Sequence, residues 1–359
     1  MVRCSLANDK SPRSISTNHL ESHLEGNVKY MRNNQCIGAI GMLVLIFITQ
    51  VALSCETSAA EHKTRRDAVA AEVKGKIRVS GAWALYPMMV KWTEEFKRVH
   101  PEVRIDVSAG GAGKGVADAL SGLVDIGMVS RELRPEEMAQ NLFFVPVVKD
   151  AVFPTVNENN PVIRELTRMG LTKKAFLALW VTGSAKNWGE LTGVSNSQKV
   201  RVYTRSDSCG AAETWAKYLG KDQEDLKGVA VYGDPGVAEA VRRDRSGIGY
   251  NNLNYAYDMK TGRPVAGLHV VAIDVNGNGR VDPEEMLGTK EQAMRAVQSG
   301  VYPSPPARDL YLVTKGAFKG PAREFVKWIL KDGQKYADDI GYLRINTSQI
   351  KAALRKVGE

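Results

Sequence analysis

The chain has 359 residues, 43% hydrophobic and 25% charged, the proportions of an ordinary globular protein with a real core and room for two domains. Its formal charge of +9 is not gathered into a basic tract rich in aromatics, and no zinc-finger or RNP-type signature occurs, so no nucleic acid is expected as a partner. A cationic envelope of this kind suits anionic ligands or surfaces.

Residues 1–30 are polar and carry no periodic element; they are expected to precede the true start and to stand outside the fold. Met31-Arg32 introduces an apolar run over 37–53 that ends in Ala52-Leu53-Ser54-Cys55. Residues 31–55 read as a secretory leader, and a Cys at the end of such a run resembles the bacterial lipoprotein box. That resemblance implies lipid on Cys55 and a chain anchored to a membrane, periplasmic or at the cell surface. Cleavage after Ser58-Ala59-Ala60, giving a soluble secreted protein, and an uncleaved anchor stay open as alternatives. Residues 56–75 read as a charged, Ala-rich tether. Cys4 and Cys36 precede the mature chain, so only Cys209 lies in its body. A domain without disulfides must be held by its core, which this length permits.

The fold is expected to begin at Lys76. Ile77 and Val79 start a strand, a turn follows over 81–87, and Met89, Trp92 and Phe96 share one face of a helix over 88–100 that Pro101 stops. Val103, Ile105 and Val107 alternate as the second strand. Residues 108–133 then combine a Gly-rich turn, a helix with Val116, Ala119, Leu120 and Leu123 on one face, a buried strand over 124–129, and the loop Ser130-Arg131. This alternation predicts an α/β layer with a mainly parallel sheet, whose ligands bind beyond the C-terminal ends of the strands. A Gly-rich turn feeding a helix leaves backbone N–H groups unpaired at the positive end of the helix dipole, a ready anion site. It is not an NTPase phosphate loop, which needs Gly at Ser108 and Ser or Thr at Gly115. Nor is it a dinucleotide fingerprint, whose third Gly would stand at Val116.

An apolar strand over 143–153 leads into a second lobe. Residues 175–181 read as a helix with Trp180 inward, 188–191 as a turn and 200–203 as a strand. Residues 204–213 repeat the first geometry, with polar residues and Gly opening a helix after a strand; Trp215 and Leu219 face inward. Residues 247–250 form a tight strand and turn. Between a strand over 269–273 and a helix over 283–297, residues 274–285 match the calcium-loop pattern. Oxygens come from the side chains of Asp274, Asn276, Asn278 and Asp282, the carbonyl of Arg280 and a bidentate Glu285, with Gly279 at the sixth place. A structural Ca²⁺ is expected there, in a strand-loop-helix setting; an Asn-Gly hairpin turn is the alternative. A stiff Pro-rich connection over 302–308 precedes a strand over 310–314 and a helix over 321–330 with Phe325 and Trp328 inward. Residues 344–359 read as a basic, solvated terminal helix.

The succession GAWALYP, SAGGAGKG with VDIGMVSRE, RSDSCGAAETW, SGIGYNN, and YPSPPARDLYLV with DGQKYADDIGYL spans most of 76–346. It resembles the periplasmic phosphate-binding proteins of ABC transporters, type II periplasmic binding proteins. The resemblance implies two α/β lobes, each a mainly parallel sheet flanked by helices, joined by a hinge. Lobe I would take 76–148 and 263–359, the latter with the calcium-like loop, and lobe II 149–262. An oxyanion would be held between them by helix N-termini, hydroxyls and one Arg.

The family's Arg falls at Arg205, which can clamp an oxyanion bidentately. Its Ser-Gly-Thr falls at Cys209-Gly210-Ala211, next to Ser208; its Thr before an aromatic falls at Leu85 beside Tyr86. Its acidic acceptor falls at Ser130, and the Ser of its Gly-rich turn at Ala112 or Gly113. Several hydroxyls and the carboxylate are thus replaced, while Ser130, Ser206 and Ser208 offer hydroxyls and Lys114 and Arg131 offer charge.

The expected function is capture of phosphate and its delivery to an ABC permease, by a monomer that needs no cofactor and catalyses nothing. Sulfate, molybdate or another tetrahedral oxyanion stays open, because a carboxylate accepts a proton from protonated phosphate and Ser130 offers only its oxygen. An envelope phosphatase or adhesion protein on the same scaffold is the rival reading. Against catalysis, Cys209 has no Arg six residues later as in cysteine phosphatases, and the mature chain holds only His62, His100 and His269.

Overall fold

The structure is a computed structural model that describes residues 73–358. The leader, Cys55 and almost all of the tether lie outside the described residues. Among those described, no helix is long and apolar enough to cross a membrane.

Strands β1 (Gly75–Gly81) and β2 (Val103–Ala109) run parallel, with Gly75 opposite Val103 and Gly81 opposite Ala109, and β3 (Ile126–Val129) joins the other side of β1, also parallel. They are linked by α1 (Tyr86–Val99) and α2 (Ala112–Leu120). Pro87 lies in the first turn of α1, where its missing N–H leaves no bond unmade, and Met88, Met89, Trp92 and Phe96 are buried on the inner face. After the short α3 (Pro135–Met138) comes the long strand β4 (Leu142–Asn157).

The next stretch holds α4 (Ile163–Met169), α5 (Lys173–Trp180), α6 (Trp188–Thr192), β5 (Arg201–Arg205), α7 (Gly210–Tyr218) and β6 (Val229–Val231). It continues through α8 (Gly233–Arg243), β7 (Gly247–Asn252), α9 (Leu253–Ala256), β8 (Leu268–Val270) and α10 (Lys290–Ser299). Finally β9 (Ala307–Lys315), α11 (Gly320–Leu330), β10 (Leu343–Arg344) and α12 (Thr347–Val357) bring the chain back.

The strands line up as β2-β1-β3-β9-β4-β7-β5-β6, with β8 and β10 pairing to β4 off this path. A parallel triad at each end therefore flanks the antiparallel pair β4 and β9, whose ladder runs from Leu142 opposite Lys315 to Ala151 opposite Ala307. This pair is the hinge between two α/β lobes. One core gathers Ile77, Trp92, Ile126, Leu312 and Phe325; the other gathers Phe153, Trp180, Trp215, Tyr250 and Tyr302.

Along the chain the core changes between Val148 and Ala151, and again between Ala307 and Leu310. The return to the first lobe thus lies near 308 rather than 263. Val270, Ile273, Ala293 and Ala296 belong to the second core, because β8 pairs with the far end of β4, at 155–157.

Three local expectations are corrected. Residues 188–192 form a helical turn, not a plain one, since Asn187 accepts from Glu190 N at 3.0 Å as an N-cap. The helix expected over 283–297 is a 3₁₀ turn, Pro283–Glu285, followed by α10, which starts afresh at the capping box of Thr289 and Gln292. The terminal helix is not simply solvated: Ala353, Leu354 and Val357 of α12 are buried in the first core. Of the two aromatics on α11, Phe325 is fully buried and Trp328 only partly.

Candidate anion site

Two helices from different lobes begin at the C-terminal ends of parallel strands: α2 after β2 and α7 after β5. Their N-terminal loops meet. A Cβ built on Gly111 would lie 2.7 Å from the Ser208 carbonyl oxygen, and one on Gly113 2.7 Å from Ser208 Oγ. The Gly113 N–H donates to that carbonyl at 3.3 Å. Gly111 has φ +89°, a left-handed conformation that glycine adopts without strain. Across the contact, Gly210 packs directly on Ser130. The fold therefore gathers Gly113, Ser130, Ser208, Cys209 and Gly210 at one point. No side chain caps α2; Gly113 gives its N–H to Ser208 O, and the other first-turn amides keep the partial positive charge that attracts anions.

Arg205, at the end of β5, is buried beside this point. Its Nε and Nη2 donate to Asp207 Oδ1 and Oδ2 at 2.8 and 2.6 Å, and Nη1 donates to Asp234 Oδ2 at 2.5 Å. Burial works against the charge, but the Asp234 and Asp207 carboxylates outweigh it and hold the guanidinium above its ordinary pKa. Asp234 Oδ1 accepts from the backbone N–H and side-chain amide of Asn252 at 3.1 and 2.8 Å. Asn252 Oδ1 accepts from Arg308 Nη2. Arg308 Nη1 donates to Gly210 O at 2.6 Å and Thr214 Oγ1 at 2.9 Å, so a continuous polar chain runs from Arg205 to the hinge strand β9 and back to the start of α7.

Arg308 stands opposite Asp150 in the hinge ladder, but their charged groups are 3.5 Å apart. That pairing is too loose to offset desolvation: burial pushes the Asp150 carboxyl up to about 6 and the Arg308 guanidinium below its ordinary value.

Other expected residues are placed differently. The Leu85 side chain is fully buried in the first core and its N–H donates to Ala82 O at 3.1 Å, so it offers the site no donor. Tyr86 is half-buried, its ring 6.4 Å from that of Trp83. Trp83 meets Tyr232 of the other lobe edge-on at 6.2 Å. Ala211 is buried in the second core. Cys209 is buried at the N-cap of α7, where Sγ accepts from Ala212 N at 3.4 Å, and burial pushes its thiol up to about 12. A protonated, enclosed thiol is a packing and capping group, not a nucleophile. Lys114 is paired with Asp118, and Arg131 with Glu137 and Glu213.

Sequence reasoning missed Asp234, Asn252, Arg308 and Asp150. Asp207 had a signal, two residues after Arg205 on the same loop. The other four come from four separate strands and helices, and only sheet pairing brings them together.

In the loop over 274–285, Asp274 and Glu285 are buried. Asp274 accepts from the backbone N–H groups of Gly277, Asn278 and Gly279 at 2.7 to 3.2 Å, and Glu285 from Val275 and Asp282 at 2.9 and 3.1 Å. Asp282 is engaged by the amides of Asn276 and Asn278 and by Arg280. The loop is wound about its acids, although no three His, Cys, Asp or Glu side chains are gathered as a metal cluster among the described residues.

Two α/β lobes on a two-strand hinge, with a helix N-terminus from each meeting beside a buried Arg, define a bilobal solute-binding protein. The chain belongs to the PBP superfamily, whose domain, described as "PBP superfamily domain", matches residues 62–332. It is 28% identical over 315 residues to the phosphate-binding protein PstS of Bacillus subtilis (strain 168), covering 86% of this chain and 94% of that one. A Clostridium perfringens protein assigned as a phosphate ABC transporter substrate-binding protein, solved with bound phosphate, shares the fold with a TM-score of 0.62 at 22% identity, over 76% of this chain and 100% of that one. An ABC-type phosphate transport receptor from Vibrio cholerae does so with a TM-score of 0.54 at 19% identity, over 75% and 100%.

Proposed function

We propose that this chain captures phosphate between its lobes, outside the cytoplasm, and delivers it to an ABC permease without chemical turnover. The observation that carries this reading is the meeting of two helix N-termini from different lobes, at a glycine-lined contact beside Arg205. Backbone amides there, the hydroxyls of Ser130 and Ser208, and the Arg205 N–H groups not given to Asp207 or Asp234 can together surround an oxyanion. Asp207 Oδ2 would lie 3.0 Å from a Cβ on Gly111. It places a carboxylate acceptor at the α2 turn where Ser130 supplies none, which favours protonated phosphate over sulfate or molybdate. The phosphate-binding names of the relatives support the same ligand.

Calorimetry of the mature domain with phosphate, sulfate, molybdate and arsenate, with Arg205→Ala as control, tests the reading; no binding to any of them would sink it. The buried Cys209 supports a binder over a phosphatase. Anchoring through lipid on Cys55 and action as a monomer are part of this proposal. Mass spectrometry of the mature N-terminus decides the first, because a chain beginning at Glu61 would carry no such lipid. We also propose Ca²⁺ in the 274–285 loop, supported by two buried carboxylates, Asp274 and Glu285, which face backbone N–H groups and, among the described residues, form no side-chain ion pair.

A further inference from the structure

The loop after Ser130 and the helix after Cys209 carry charges that face each other across the lobes. Arg131, its side chain 2% exposed, donates Nη1 and Nη2 to Glu137 of its own lobe at 2.8 and 2.6 Å. Its Nε stands 3.0 Å from Glu213 Oε2 in α7 of the other lobe, an ion pair whose alignment falls short of a hydrogen bond. Arg134 Nη2 reaches the same oxygen at 3.2 Å. One turn further along α7, Lys217 lies 2.8 Å from Glu132 and 3.7 Å from Glu213.

We propose that Glu213, held by Arg131 and Arg134, is a positioning group that sets how long the lobes stay closed on the anion while touching no part of it. This rests on the anion reading above. Arg131 adjoins Ser130, and Glu213 lies three residues after Gly210. The ion pair and the Ser130–Gly210 contact therefore form in one movement. When the lobes part, Arg131 keeps Glu137, whereas Glu213 loses both arginines and keeps Lys217 of its own helix, at 3.7 Å.

The Glu213 side chain is 11% exposed, and opposite charges in so dry a place attract more strongly than at a surface. Glu132, at 79%, is a solvated charge, and its pair with Lys217 adds little. An interaction present in the closed state and absent from the open one shifts the population toward closure. Its loss appears in the release rate rather than in the rate of encounter.

Stopped-flow association and release of phosphate by the full mature protein, over a range of salt, tests this. Glu213→Gln is expected to speed release about tenfold and weaken affinity by the same factor, with association changed less than about twofold. Release from the wild type is expected to quicken with salt, and release from the variant to lose most of that dependence. Arg134→Gln, a more exposed change that does not depend on refolding the α7 core, is expected to act in the same direction by a smaller factor. Lys217→Gln is expected to change little. Release rates equal to wild type in both Glu213→Gln and Arg134→Gln overturn the proposal. A wild-type protein that binds no phosphate removes the anion reading and this one with it.

Discussion

Gly210 of the second lobe lies so near Ser130 of the first that an added methyl group would sit 2.1 Å from the Ser130 carbonyl oxygen and 2.3 Å from its Oγ. Backbone cannot yield to that overlap as a flexible side chain can. Gly210→Ala is therefore expected to keep the lobes apart while each lobe retains its own core. Affinity for phosphate should fall at least about a hundredfold, near 3 kcal/mol, and small-angle scattering with phosphate should show a more open particle than wild type. An unchanged dissociation constant would contradict the closed contact.

Arg205 is both an anion donor and the counter-charge of two enclosed carboxylates. Arg205→Ala should abolish binding and also destabilise the fold by about 3–5 kcal/mol, because it leaves the buried carboxylates of Asp234 and Asp207 without a counter-charge, although Asn252 and the Gly233 N–H still donate to them. Adding Asp234→Asn should restore part of the stability and none of the binding. Urea unfolding and calorimetry on the single and double variants separate the two roles.

With its thiol pushed up to about 12 by burial, Cys209 is expected to resist a thiol reagent at pH 8 in the native protein and to react promptly once unfolded. Cys209→Ser keeps an acceptor for the Ala212 N–H and adds a hydroxyl donor, so phosphate binding should hold or tighten. Fast modification of the native chain would show that the thiol is neither enclosed nor protonated.

Burial raises the Asp150 carboxyl from 3.8 to about 6. Between those values the folded chain holds a proton that the unfolded chain has lost, so this group's contribution is fully present below about pH 4 and is lost as pH rises through 6. The loss amounts to about 3 kcal/mol at 1.36 kcal/mol per unit. Asp150→Asn has no such titration. Its unfolding free energy relative to wild type should rise between pH 4 and 7 by about that amount, and a difference independent of pH would refute the assignment.

Millimolar Ca²⁺ is expected to raise the melting temperature of the mature domain through mass action on the folded state, and Glu285→Ala should erase that rise. Two asparagines among the proposed ligands, Asn276 and Asn278, would lower the charge of such a site and favour a modest affinity. Coincident melting curves with and without Ca²⁺ would leave residues 274–285 as a turn.

What the sequence could show was whatever is local. The α1 helix, read as 88–100 and observed as Tyr86–Val99, announces itself by period and by Pro101; the loop over 204–213 follows from a strand that ends just before a helix, and the family resemblance singles out Arg205 and Ser208 within it. Leu85 misled because the resemblance aligned a position without saying which way its side chain points. Asp234, Asn252 and Arg308 had no local signature, since their meeting depends on β7 and β9 both lying against β4. The lobe boundary was displaced for the same reason: β8 is short, and only its pairing with β4 assigns it to the second core.

The arrangement of β9 has a consequence for the order in which the chain takes shape. The second core draws on one continuous stretch, 151–307, whereas the first needs both 77–148 and 310–357. In the finished sheet β9 lies between β3 and β4. A chain lengthening from its N-terminus can therefore complete the second lobe while β3 and β4 each still show an unpaired edge, and such edges invite pairing with other chains. The last fifty or so residues act as the wedge that seals them, so a product ending near residue 306 should keep the second lobe's fold yet self-associate through the strands that β9 would have covered.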